Sequence, residues 1–121
     1  MANQAVWFEV MGKDRDALTG FYTDLFDWKA TEMDGPMDYS PVETGGEHPI
    51  GGGIGASPDG GPTYATFYVH VDDVEASLSR VESLGGKKVM GPMDIPDGNK
   101  IGLFTDPEGH TIGLFQGTMQ R

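Results

Sequence analysis

Cysteine is absent from this chain of 121 residues, and its absence removes disulfides and thiolate metal centres together. With no disulfide framework to call for an oxidising compartment, the cytoplasm is the expected location. Long apolar runs are missing too. No stretch approaches the ~18 apolar residues that a membrane-spanning helix needs. The segment Met1-Ala2-Asn3-Gln4 has no basic stretch followed by an apolar one, so no secretion signal is expected. Basic side chains are scarce: eight stand against nineteen acidic ones, a formal charge of −11. Nucleic acid and anionic membrane surfaces would be repelled, and a cationic ligand would be drawn in. The same charge also serves plain solubility, or a salt-adapted source. P-loop, dinucleotide fingerprint, nucleophile elbow and paired-histidine helix are all lacking, which leaves nucleotide binding and covalent hydrolysis without support.

What is present is the composition of one ordinary globular domain, with 37% apolar residues by a count that omits glycine. Ala5 to Val10 is β-branched and aromatic and reads as a strand. Asp14 then offers a helix N-cap, and Ala17, Leu18, Phe21, Tyr22, Leu25 and Phe26 form an apolar stripe ending near Asp27. Trp28 to Met33, Asp38 to Thr44 and the glycine-rich Ile50 to Gly55 are the following strands, with Pro41 placing the second at an edge or bulge. After a Pro/Gly connector the order recurs. Tyr64 to Val71 is a strand, and Asp72-Asp73 opens a helix striped by Val74, Leu78, Val81 and Leu84 and stopped by Gly85-Gly86. Lys87 to Met90 is a short strand and Gly91 to Asn99 a loop. Lys100 to Thr105 and Thr111 to Gln116 are strands joined by the turn Asp106-Pro107-Glu108-Gly109.

A slide of 59 residues tests the recurrence. Phe8 meets Phe67, Val10 meets Val69, Asp14 meets Asp73, Ala17 meets Ala76, Leu25 meets Leu84 and Lys29 meets Lys88. Cap falls on cap and strand core on strand core. One further residue of slack aligns Gly53-Ile54 with Gly113-Leu114. The expected fold is α+β, two βαβββ modules forming a cupped mixed sheet. The first module runs from about 5 to 55, a linker covers 56–63, and the second runs from about 64 to 117.

These halves, with Asp72-Asp73-Val74-Glu75-Ala76, Asp106-Pro107-Glu108-Gly109-His110 and Ile112 to Gln116, resemble the vicinal oxygen chelate superfamily of glyoxalases, bleomycin-resistance proteins and extradiol dioxygenases. The small branch it most resembles is marked by the start Trp7 to Val10, the helix exit Phe21 to Trp28 and the strand Gly51 to Gly53. The resemblance implies a homodimer. It also implies divalent-metal ligands on the first and last strands of each half. Those positions fall on Trp7, Thr66, Gly113 and, less directly, Gly53, none of which supplies an imidazole or carboxylate. No cofactor is therefore expected; a divalent metal held by displaced ligands is the alternative.

Strand alternation assigns faces independently of any family. Phe8, Val10, Phe67 and Val69 should pack under the helices. Trp7, Glu9 and Met11 then share the opposite face with Thr66, Tyr68 and His70, and with Thr111, Gly113 and Phe115, forming an aromatic cup suited to a small organic molecule. Gly53 and Gly113 would clear volume there, and Met33 and Met37 would soften the rim. Glu9 and His70 are the ionisable pair, with Tyr68 as hydrogen-bond donor; an ion pair at the sheet rim is the plainer account of them. His110 and His48 read as surface residues.

Three functions follow from that set. The first is a small-molecule-binding module, its ligand partly apolar and favoured by the field if cationic. The second is a metal-free lyase or isomerase using Glu9, Tyr68 and His70, with Trp7, Met11, Thr66, Gly53, Gly113 and Phe115 as ligand-binding residues. The third, a lyase or dioxygenase with displaced metal ligands, ranks last, because two protein ligands are fewer than the usual three.

Overall fold

Helix α1 (Arg15–Phe26) begins where a carboxylate can receive its first amides: Asp14 is extended, and its Oδ1 accepts from the Ala17 N–H at 3.1 Å. The helix ends on Asp27, which adopts the left-handed conformation (φ 62°) and donates its N–H to the Thr23 carbonyl at 2.9 Å. Helix α2 (Val74–Ser83) repeats the device. Asp73 accepts from the Ala76 N–H at 3.1 Å, and Gly85, at φ 98°, takes the left-handed position beyond the last turn.

The computed structural model describes residues 2–31, 38–57 and 61–118. Together the described residues hold two helices and eight strands, the α+β class expected. They divide into two compact units, Trp7–Ala65 and Met1–Val6 with Thr66–Arg121.

In the first unit, β1 (Ala5–Gly12, from Trp7 on), β2 (Lys29–Ala30), β3 (Tyr39–Glu43) and β4 (Gly51–Ala56) lie in the order β2-β3-β4-β1. The β1–β4 pair is parallel, setting Trp7 opposite Gly51, Glu9 opposite Gly53 and Met11 opposite Gly55. The β3–β4 pair is antiparallel, with Tyr39 opposite Gly55 and Pro41 opposite Gly53. In the second unit, β5 (Tyr64–His70, from Thr66 on), β6 (Lys87–Ile95), β7 (Asn99–Thr105) and β8 (Thr111–Gln116) lie in the order β5-β8-β7-β6. Here the parallel pair is β5–β8, with Tyr68 opposite Gly113. Each unit thus pairs its first strand with its last, as a βαβββ module requires.

Helix burial differs between the units. In the second, Val71, Val74, Leu78 and Leu114 form a buried cluster with Phe104 against it. In the first, no α1 residue is fully buried, and Phe21, Leu25 and Phe26 are exposed. The stripe read from the sequence is wider than the surface behind it. Strand β4 is mostly glycine, so aromatic rings fill in: Phe8 lies over Gly52, 5.3 Å from Trp28, and Trp28 stacks with Tyr22 at 6.1 Å.

Two further expectations are corrected. The stretch Gly91 to Asn99 is not a loop: β6 continues to Ile95, and a short 3-10 turn follows over Pro96–Gly98. Register shifts between Lys88 and Met90 and between Met90 and Met93 are irregularities of the kind that let a strand carry a proline, here Pro92. Phe67 does not pack under a helix but is 44% exposed; the buried cluster under α2 takes Val71, just past the end of its strand, instead. Met33 and Met37 lie outside the described residues. Among the described residues, no helix is long and apolar enough to cross a membrane.

Candidate functional site

Glu9 is the one carboxylate among the buried residues described, at 8% exposure. It stands mid-strand on β1, opposite Gly53, where alternation aims it away from the face carrying Phe8 and Val10. Tyr64, at the start of β5, donates its hydroxyl to Glu9 Oε2 at 3.2 Å. Tyr39, on β3 and 9% exposed, also interacts with the Glu9 carboxylate, and its hydroxyl oxygen accepts from Trp7 Nε1–H at 2.8 Å. Two phenols therefore meet one buried carboxyl group, and the indole holds one of those phenols.

Both phenols are held in the protonated state. For Tyr39, burial raises the pKa most, the Glu9 charge raises it further, and the Trp7 hydrogen bond opposes in part. For Tyr64 the order is the same, burial first and the Glu9 charge second. A phenol that stays neutral stays a donor, so both remain able to solvate an ionised carboxylate.

The glycines explain how such large rings fit. A Cβ at Gly53 would coincide with the Tyr39 ring, one at Gly51 would press on the Trp7 ring at 3.0 Å, and one at Gly55 would meet Tyr39 and Met11 Sδ. In the second unit the ring of Tyr68 lies over Gly113 in the same manner. The space freed at Gly53 and Gly113 is therefore filled by tyrosine rings of the same unit. The two units arrive there differently: Tyr68 covers Gly113 from the directly paired position, whereas Tyr39 reaches Gly53 from β3 and leaves the paired position to Glu9.

The remaining candidates sit in the second unit. Tyr68 is buried at 5% exposure. Thr66 donates its hydroxyl to the Thr111 carbonyl at 2.6 Å, with the Phe67 carbonyl at 3.3 Å. His70 lies near the buried Phe115, ring centroids 6.2 Å apart, and its Nε2 is 2.9 Å from the Gly117 carbonyl. A carbonyl only accepts, so that nitrogen carries the proton. Trp7, Glu9, Met11 and Gly53 thus gather in one unit, and Thr66, Tyr68, His70, Gly113 and Phe115 in the other. His48 and His110 are exposed, the latter 3.0 Å from Asp106 Oδ2 across its turn.

Tyr39 and Tyr64 escaped sequence reasoning. Alternation could have found Tyr64, which precedes Thr66, Tyr68 and His70 by the same step of two. No local signal could have found Tyr39, whose place depends on the β3–β4 register.

Trp7 Nε1 is a donor without a lone pair, the Thr66 hydroxyl hydrogen is turned to the main chain, and rings cover Gly53 and Gly113. The chemistry of those four positions does not fit a divalent cation. Among the described residues, no group of three or more His, Cys, Asp or Glu side chains could hold one.

Comparison with known proteins places this architecture. CFP32 of Mycobacterium tuberculosis, provisionally named a glyoxylase, is 33% identical over 118 residues, which is 91% of this chain and 44% of that protein. The anthracycline biosynthesis protein DnrV of Streptomyces peucetius is 32% identical over 125 residues, covering 91% of this chain and 46% of that one. The chain thus spans under half the length of these curated relatives. A glyoxalase/bleomycin resistance protein/dioxygenase superfamily member from Vibrio splendidus shares the fold, with a TM-score of 0.66 at 15% identity, covering 96% of this chain and 100% of that one. A methylmalonyl-CoA epimerase solved with methylmalonyl-CoA does so too, with a TM-score of 0.65 at 12% identity and coverage of 98% and 96%. The sequence profile of the Glyoxalase/Bleomycin resistance protein/Dioxygenase superfamily matches residues 4–114, and this chain belongs to that family.

Proposed function

We propose that this domain binds a small organic molecule through its own side chains, without the divalent metal that the family resemblance implies. The observation that carries the reading is the replacement of the implied ligands by Trp7, Thr66, Gly53 and Gly113, with the glycines covered by the Tyr39 and Tyr68 rings. What stands there instead is aromatic surface with few polar groups, the usual lining of a small-molecule site. The relatives support the class of ligand: one is named for anthracycline biosynthesis, and a structural neighbour holds a thioester.

A metal-free lyase or isomerase is the second reading, favoured by the burial of Glu9, since a desolvated carboxylate is a serviceable general base. Tyr68 and His70, expected from the sequence to act with it, belong to the second unit. That reading would require Glu9→Gln to abolish turnover of a substrate while the fold persists.

The test combines elemental analysis with a thermal-shift screen. Protein purified without chelator or affinity metal should carry no stoichiometric zinc, iron, nickel or manganese. A bound compound should raise Tm equally with and without EDTA; at one hundred times Kd the gain is about 2.7 kcal/mol. Stoichiometric metal, or a shift abolished by EDTA, would overturn the proposal.

A further inference from the structure

Phe21 and Leu25 are each 59% exposed, one helical turn apart on the same face of α1, and Phe26 is 51% exposed. The Tyr22 ring joins them, its centroid 5.1 Å from that of Phe21 and 6.2 Å from that of Phe26. Apolar residues scattered singly over a surface are ordinary, whereas a contiguous patch marks a place where polypeptides associate.

The duplicated helix shows that the module does not need these side chains. The slide of 59 residues sets Phe21 against Arg80, Asp24 against Ser83, Phe26 against Gly85 and Asp27 against Gly86. Leu25 alone keeps its type, against Leu84, which is also exposed. With a cation, a hydroxyl and two glycines at the other four positions, α2 still buries Val74 and Leu78, where α1 buries no residue.

The border of the patch is negative. Asp24 and Asp27 are exposed at the C-terminal end of α1, where the free carbonyls already place partial negative charge. The last turn of α1 holds no basic side chain, whereas that of α2 holds Arg80. Lys29 follows only after the helix has ended, and Arg15, in the first turn, is committed to Asp16 and Asp38. Among the described residues, no ion pair engages Asp24 or Asp27. The complementary surface is therefore apolar with lysine or arginine beside it. A second copy of this chain fits poorly. Meeting through the same face, it would set its own Asp24 and Asp27 against those of the first, between chains that each carry −11.

We propose that the Phe21, Leu25 and Phe26 face of α1 docks a basic amphipathic segment of a partner protein. Its apolar side chains would lie on the patch, and its cations on Asp24, Asp27 and the helix C-terminus. This interaction surface does not depend on the small-molecule reading.

A model peptide of about eighteen residues, with leucine at helical spacing on one face and lysine elsewhere, supplies that chemistry. Titration calorimetry on the whole chain should show binding that weakens with added salt, and amide NMR shifts should centre on α1. A scrambled peptide of the same composition should bind at least about ten-fold more weakly, which separates the patch from plain charge attraction. Phe21→Ser with Leu25→Ser keeps every charge and should cost about ten-fold or more, with circular dichroism unchanged. If that variant fails to fold, Asp24→Asn with Asp27→Asn should cost several-fold at low salt, asparagine being tolerated at the left-handed cap. Equal binding of the scrambled peptide, NMR shifts centred elsewhere, or full affinity after loss of Phe21 and Leu25 overturns the proposal. So does self-association of the unaltered chain that Phe21→Ser with Leu25→Ser abolishes in sedimentation, which would give the face to a second copy.

Discussion

The indole N–H of Trp7 donates to the hydroxyl oxygen of Tyr39 at 2.8 Å, joining residues 32 positions apart on strands that are not hydrogen-bonded neighbours. Both side chains overhang the glycines of β4, the strand between them. Because Tyr39 also interacts with Glu9, this bond fixes the phenol that faces the anion. Trp7→Phe keeps an aromatic ring but removes the donor and part of the indole, and should cost at least about 1 kcal/mol in urea denaturation. Tyr39→Phe leaves the indole donor without its acceptor and should cost more, about 1–3 kcal/mol. A smaller loss from Tyr39→Phe than from Trp7→Phe would show that the bond contributes little.

Alkaline titration should divide the tyrosines. Tyr39 and Tyr64 both have pKa values raised above the ordinary 10.0, by burial and then by the Glu9 charge. Folding therefore tightens their hold on the proton. Their contribution to stability is complete below about pH 10 and declines as pH rises above it, because the unfolded chain then releases protons that the folded one keeps. Tyrosinate absorbance should show Tyr39 and Tyr64 ionising only with unfolding. Glu9→Gln should bring both titrations toward the ordinary value; no change would mean burial alone is the cause.

A methyl group at either covered glycine should be poorly tolerated. Gly53→Ala collides with the Tyr39 ring and Gly113→Ala with the Tyr68 ring. Overpacking of this kind costs about 1–3 kcal/mol. Pairing Gly53→Ala with Tyr39→Leu should recover part of that loss, giving a non-additive double-mutant cycle. Additive losses would place the ring elsewhere.

The turn Asp106 to His110 should respond to acid. Asp106 is held below its ordinary 3.8, chiefly by the His110 backbone N–H and also by that of Glu108, and it accepts both at 3.0 and 2.9 Å. A lowered carboxylate pKa stabilises the fold above the ordinary value, and the effect is lost as pH falls through the folded one. Asp106→Asn keeps an acceptor and removes the charge. The Tm difference between parent and variant should shrink between about pH 5 and pH 2. A difference independent of pH would assign the effect to geometry instead.

The sequence by itself determined both helices and their caps, the duplicated βαβββ order, and the terminal strand Thr111 to Gln116. Those features are local: a carboxylate three residues before a waiting amide, an apolar period, a proline–glycine turn. Tertiary structure alone decided what fills the glycine-cleared space. Gly53 and Gly113 read as open volume, yet rings occupy both, and Tyr39 reaches its place only through the register of β3 on β4. The surroundings of Glu9 are likewise a product of pairing between distant segments, Tyr64 lying 55 residues away in sequence. Periodicity reports which face a side chain points to; it carries no information about which neighbour meets it there.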